Sequence, residues 1–330
     1  EGDSLRSKEQ IKQRGTGLFL IEKLDIGPKY GLMVCLRYDD IHNELNDQLK
    51  NPYNLSGNAD FSKVTFRFGF THTPIPEYTL FASWGQGFLP PATEELAQNP
   101  DQFGGFNVHL KSATSEGFEL GVRHSPSGQI RYELTGFFLT TQNDFDRYRI
   151  SNPLRNQETF YRNAASSKRT GGELSADFTP NRDLEIQAAY TLSSFQYTNS
   201  SPIQVVMDDP AIKKFIVDGN WLPNSPKHQL YVDLQYMLSS RLTVGISAEA
   251  QSKSFIDGAD IESEAVAGYT LLHARARYGW QIGGVEGELV FQVRNILDMK
   301  YVAFSEPDPG GNAYQPGAGR EFFGGVRVKM

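Results

Sequence analysis

The chain has 330 residues, 39% of them hydrophobic and 12% aromatic, and a formal net charge of −7. Without a long basic run that balance argues against a nucleic-acid partner, and a single cysteine, Cys35, excludes an intrachain disulfide or a cysteine-based metal cluster. No stretch approaches the roughly eighteen apolar residues of a membrane helix, but a barrel strand needs apolar residues only at alternate positions.

Taken in chain order, segment after segment alternates. Leu32, Val34, Leu36 and Tyr38 share one face, with Arg37 and Asp39 on the other. Val64, Phe66, Phe68 and Phe70 oppose Thr65 and Arg67. Leu184, Ile186, Ala188 and Tyr190 oppose Glu185, Gln187 and Thr191. Leu230, Val232, Leu234 and Tyr236 oppose Gln229, Asp233 and Gln235, and Leu242, Val244, Ile246 and Ala248 oppose Arg241, Thr243, Ser247 and Glu249. The clearest run is 272–280, where Leu272, Ala274, Ala276, Tyr278 and Trp280 lie opposite His273, Arg275 and Arg277. Leu289, Phe291 and Val293 oppose Glu288, Gln292 and Arg294; Phe322, Val326, Val328 and Met330 oppose Glu321, Arg327 and Lys329. Period two marks a sheet with one apolar and one polar side. About thirteen such segments occur, each near the ten or so residues of a tilted membrane strand. The polar stretch 1–14 offers no fourteenth.

The connections alternate as well. Short turns are expected at 25–28, 73–77, 125–128, 179–182, 238–240 and 281–287. Long polar connections are expected around 41–59, 88–113, 142–160, 197–225, 252–267 and 306–319. Outer-membrane barrels have short periplasmic turns and long external loops; a soluble β-sandwich has no reason to gather its long loops at one end. With the short turns periplasmic, Tyr78, Tyr132, Tyr236, Tyr278 and Trp280 fall at that end on the apolar face, and Trp84, Phe138, Tyr190 and Phe322 near the other rim. Two such belts suit lipid–water interfaces. The fold class expected is all-β: a transmembrane antiparallel up-and-down β-barrel, partial, with about thirteen strands present, in contact with outer-membrane lipid.

Three stretches carry a family resemblance. The segment 78–96 runs from an aromatic strand through Gly87-Phe88 and Pro90-Pro91 to Glu95-Leu96; the segment 114–123, Thr-Ser-Glu-Gly-Phe-Glu-Leu-Gly-Val-Arg, answers it across the loop. The third is Val293-Arg294-Asn295-Ile296-Leu297-Asp298-Met299-Lys300-Tyr301, followed by Gly319-Arg320 and a terminal strand. Together with weaker echoes at 36–39 and 169–174, they resemble TonB-dependent outer-membrane receptors of Gram-negative bacteria. The resemblance implies an importer of scarce nutrients with a barrel of roughly 22 strands, a preceding plug that contacts the TonB complex, and delivery by the barrel-assembly machinery. Residues 1–330 are then the C-terminal part of such a barrel, with the plug and roughly the first nine strands missing from the chain. The family usually ends in Phe or Trp; this sequence ends in Met330, with Phe322 and Phe323 upstream.

No enzyme constellation stands out, and no cofactor is expected. His42, His72, His109, His124, His228 and His273 are scattered without metal-ligand spacing. Ser125-Pro126-Ser127-Gly128, Gly283-Gly284 and Gly310-Gly311 read as turns rather than as an elbow or phosphate cradles. The acidic stretch Asp257, Asp260, Glu262 and Glu264 could offer oxygens to calcium, although such clusters are usually solvated loops. Arg147, Tyr148 and Arg149, with Tyr161 and Arg162 on the returning strand, could hold an anionic ferric chelate by guanidinium charge and aromatic walls. Phe103 and Phe106 in the preceding loop are candidates of the same kind, and aromatic packing alone is the competing explanation for all of them. Arg37, Arg67, Arg275, Arg277 and Arg294 are expected to form inward ion-pair ladders. The function expected is capture of a ferric siderophore or other iron complex on external loops, followed by TonB-energised import. The alternative is a passive porin-like channel; an outer-membrane enzyme would need a catalytic cluster at one rim, and a soluble β-protein would need a second sheet over its apolar faces.

Overall fold

The computed structural model describes residues 7–49, 53–126, 128–199, 201–206, 212–308 and 311–329. Residues 1–6, Ser127, Gly310 and Met330, which enter the expectations above, lie outside them. Thirteen strands form one antiparallel sheet in strict sequence order: β1 (Glu9–Ile26), β2 (Tyr30–Asp47), β3 (Gly57–Ile75), β4 (Tyr78–Leu89), β5 (Ala113–His124), β6 (Ile130–Tyr148), β7 (Phe160–Phe178), β8 (Leu184–Tyr197), β9 (His228–Met237), β10 (Leu242–Gln251), β11 (Tyr269–Ile282), β12 (Val285–Arg294) and β15 (Glu321–Lys329). A small hairpin of β13 (Val302–Glu306) and β14 (Ala313–Pro316) stands apart in the last connection. Each strand pairs with its chain neighbour, so β1 and β15 are the two edges of this sheet.

The strand count matches the expectation; the boundaries differ. Residues 9–14, expected outside any strand, open β1. Asp144–Tyr148, expected in a loop, continue β6, and Ile41–Asp47 continue β2. The alternation used to find strands belongs to their middle, and beyond it the chain stays paired under a different pattern. The turn between β11 and β12 is tighter than expected. It is a two-residue connection in which Gly283 (φ 57°) and Gly284 (φ 86°) both take the left-handed conformation that such a hairpin demands.

The middle of the sheet is apolar on its outer side. Leu120, Leu134, Phe138, Ile246, Leu289 and Phe291 are all exposed there, and among the described residues no second sheet covers them. The register sets aromatic rings level with one another: Phe68, Trp84, Phe118 and Phe138 are successive partners across β3–β6. Nearer the short turns Tyr78, His124 and Tyr132 form a second row, with Tyr78 stacked on His124 at 4.3 Å. Along β4 the rows are six residues apart, roughly 20 Å of strand, close to the ~25 Å apolar band of an outer-membrane barrel.

The inner side carries polar pairs. Arg275 forks onto Asp233 with two 2.7 Å bonds, and Arg37 pairs with Asp39 two residues along its own strand at 2.6 Å. Arg123 meets Glu133 at 2.6 Å. The expected ladder is therefore real but incomplete. Arg277 donates to the Gln235 amide oxygen (2.9 Å) rather than to a carboxylate, and Arg294 lies over the Phe323 ring at 4.9 Å. The Arg67 stem covers Gly85, where a Cβ would meet it at 3.0 Å.

Candidate functional site

The long connections all lie at one end, and there the packing turns inward. Ile11 on β1, Leu45 on β2, and Ala59 and Phe61 on β3 occupy inner-side positions, and they pack with Leu96, Phe106 and Leu110 from the connection 90–112. Phe145 of β6 and Tyr161 of β7 complete this cluster. A bulge allows it. Asn143 takes a left-handed φ of 54° between Thr141 and Asp144, where the register shifts, and Asn tolerates that conformation better than most residues. A second cluster joins Ala165 and Tyr197 to Ile203, Val205, Val217 and Leu222 of the connection 198–227. Burial pushes the Tyr197 hydroxyl well above its usual range.

Polar bonds fix the connection 90–112 over the mouth. The short helix α1 (Thr93–Ala97) is capped by Glu95, which accepts the Ala92 N–H at 2.8 Å. The Asn99 amide donates to the carbonyls of Gly104 (3.2 Å) and Phe106 (3.1 Å). Gly105, at φ 75°, donates its N–H to Glu9 of β1 at 2.6 Å. Asn107 reaches the Tyr161 carbonyl at 3.0 Å. Loop and strand tips are thus one packed body.

The seven candidate residues separate into two groups. Phe106 and Arg149 are each 7% exposed and belong to the packing: Phe106 lies in the first cluster, and Arg149 donates its N–H to Gln204 at 2.9 Å. Arg162 is tied to Asp146 by bonds of 3.0 and 2.7 Å and lies over the Tyr148 ring at 4.7 Å. Burial pushes the Asp146 carboxyl up to about 6, with Arg162 and Arg147 opposing the shift. The half-buried remainder are Phe103, Arg147, Tyr148 and Tyr161. Arg147 pairs with Glu306 of β13 at 2.9 Å, which brings the last connection to the β6–β7 tip. Burial raises the Tyr148 and Tyr161 hydroxyls.

Arg155 was not foreseen and organises much of this end. Its guanidinium sits 4.7 Å from the Phe103 ring and 4.6 Å from the Phe160 ring. It donates to the carbonyls of Asn99 and Gln102, both at 2.9 Å, and to Glu158 at 3.0 and 2.9 Å. Its loop partners are more than fifty residues away in sequence, so no local motif announces it.

The acidic stretch does not converge. Asp257 accepts the Ala259 N–H and Asp260 the Trp221 N–H, while Glu262 takes Lys253 and Glu264 takes Asn312. Among the described residues no three His, Cys, Asp or Glu side chains gather as a metal site.

Comparison with known proteins identifies this architecture. A sequence model of the TonB dependent receptor-like β-barrel matches residues 2–296. The chain belongs to that family. Among curated relatives, the probable TonB-dependent siderophore receptor PiuA of Acinetobacter baumannii is 24% identical over 87% of this chain and 37% of its own length. The ferrioxamine receptor of Yersinia enterocolitica is 27% identical over 87% of this chain and 36% of its own length. The crystal structure of PiuA superposes with a TM-score of 0.73 at 21% identity, covering 97% of this chain and 43% of that one. The unliganded ferric citrate transporter FecA gives 0.76 at 19%, covering 100% of this chain and 47% of that one. The chain thus spans less than half the length of the proteins it matches. At these identities the structures establish the shared fold and no shared cargo; a copper transporter, OprC, superposes as well, at 0.75 and 17% identity.

Proposed function

We propose that this chain is the C-terminal part of an outer-membrane receptor that captures a ferric siderophore or similar iron complex and imports it with energy from TonB. The observation that carries this reading is the family match over residues 2–296, joined to relatives named as siderophore and ferrioxamine receptors. The outward apolar band between two aromatic rows supports a place in a bilayer, because lipid favours exposed apolar side chains and requires a strand's backbone to be fully paired. β1 and β15 would be paired in the full protein by strands outside this chain. TonB would act through a plug outside it, and the barrel-assembly machinery would insert the whole.

The ligand would meet the half-buried face of Phe103, Arg147, Tyr148 and Tyr161, and Phe106, Arg149 and Arg162 would hold that face in place. Such a receptor binds and moves its ligand without covalent chemistry. A passive porin fits less well, because the connections at this end are packed inward over the mouth instead of standing clear of it.

The test is uptake of radiolabelled ferric siderophores by iron-starved cells that produce the full-length protein as their only iron receptor. Uptake that stops when TonB is deleted or the proton gradient collapsed is expected. Uptake that persists under both treatments would establish the passive channel instead.

A further inference from the structure

The outer face of β1 carries one charge in the middle of an apolar run. Leu18, Leu20, Glu22, Leu24 and Ile26 share that face, with Glu22 opposite the outward Val34 of β2. Glu22 is the centre of the run, roughly 13 Å of strand from either end. The matching outward positions of β2, from Tyr30 to Tyr38, hold no charge. Among the described residues the exposed Glu22 carboxylate takes no hydrogen bond and no ion pair, and its chain neighbour Lys23 alternates to the inner side. β2 has nothing to offer it, because the residues within reach across the strands are Val34 and, diagonally, Leu32 and Leu36. On its other side lies the free edge of the sheet. A carboxylate in an apolar band is costly, and protonation does not remove the cost, since the neutral form still has an unmatched O–H.

We propose that the strand pairing with β1 in the full-length protein carries a lysine or arginine on its outer face beside Glu22, and that the two form an ion pair within the apolar band. The inference rests on the reading above that this chain is one part of a larger barrel. Opposite charges on facing cross-strand positions attract, and an apolar surrounding strengthens the attraction. The pair also fixes register. A slip of one residue turns every side chain to the wrong face, whereas a slip of two keeps the alternation. Along a run of Leu18, Leu20, Leu24 and Ile26, Glu22 is the residue that tells the correct pairing from a slip of two.

The test uses the full-length protein in vesicles and begins with Glu22 left intact. With Cys35 replaced by Ser, Leu20→Cys and Leu24→Cys are each combined with single cysteines along the preceding strand. Disulfide formation then locates the residue that faces Glu22. A lysine or arginine there, or one step diagonal to it, is expected; uncharged or acidic residues at all three positions would overturn the proposal. Glu22→Leu should lower the denaturant midpoint of unfolding, because it leaves a cation unmatched in the apolar band. A midpoint that is unchanged or raised would show that no cation stands beside the carboxylate. Glu22→Lys should lose folded protein, read by heat-dependent gel mobility, and changing the basic partner to Glu in the same chain should recover it. Loss without recovery would overturn the pair, as would cross-linking of Leu20→Cys to a second copy of the protein in place of the preceding strand. All these negative results leave the larger-barrel reading standing. If neither cysteine cross-links to any strand and the β1 amides exchange freely, that reading falls together with the proposal.

Discussion

In β2 the apolar residues change sides. Leu32, Val34, Leu36 and Tyr38 stand at even positions on the outer face, while farther along Leu45, at an odd position, is buried in the inward cluster between the buried polar residues Asn43 and Asp47. β3 repeats the change in reverse chain order, with Ala59 and Phe61 packed inward before Val64, Phe66, Phe68 and Phe70 point outward. Wall and rim thus follow opposite packing rules on the same strands. The wall has its apolar side outside, as an apolar surrounding would favour; the rim has it inside, where the connections supply something to pack against. The change falls between Tyr38 and Leu45 on β2 and between Phe61 and Val64 on β3, a few residues beyond the level of Phe68.

Charge placed on the outer wall should break this contrast most strongly. Leu120 faces outward midway between the rows and is 57% exposed. Leu120→Arg should cost about 2–4 kcal/mol in the lipid-embedded full-length protein, the range for arginine near the bilayer midplane. Reversible denaturant unfolding in vesicles measures it, and a cost near zero would remove lipid from the outer face. A rim substitution should act locally. Phe106→Ala removes a ring from the first cluster and should cost about 3–5 kcal/mol of local stability. Hydrogen exchange should then quicken in 96–110 while the wall amides keep their protection.

Arg155→Lys is expected to be smaller. The ammonium keeps the charge but loses the planar stack between Phe103 and Phe160 and part of the fork onto Glu158. A loss of roughly 1–3 kcal/mol should appear as faster exchange at 99–106, and unchanged exchange would demote the residue to a surface role. The smallest effect is a titration. With its folded pKa raised to about 6, Asp146 takes up a proton in the folded state before the unfolded chain would. Its contribution to rim stability is therefore full below the ordinary carboxylate range and is lost as pH rises through about 6. A protonated-carboxyl infrared band that grows in as pH falls through that value, and is absent in Asp146→Asn, checks it.

These contrasts also explain what the sequence could disclose. The wall was legible because a sheet with one apolar and one polar side imposes period two on every strand, so 272–280 or 64–70 identify themselves. The ends of β2 and β6 were not, because the rule reverses above the aromatic row and alternation breaks off there. Aromatic and arginine residues of the β6–β7 tip could be named as candidates, but their partners could not. Arg147 meets Glu306, and Arg155 holds two carbonyls of another connection; these are contacts of the folded chain that no local spacing encodes. Phe103 and Phe106 looked alike in sequence, yet one stays half-buried beside Arg155 and the other enters the cluster.

The reversal itself is the central claim, and a single-cysteine series along β2 from Met33 to Asn46 tests it most directly. Cys35 would first be replaced by Ser, and each variant of the full-length protein labelled with a small fluorophore in vesicles that contain a quencher on their acyl chains. Quenching is predicted at even positions from Val34 to Tyr38 and at no position from His42 to Asn46. Acyl-chain quenching that continues past His42, or that fails to alternate between Val34 and Tyr38, would contradict the account.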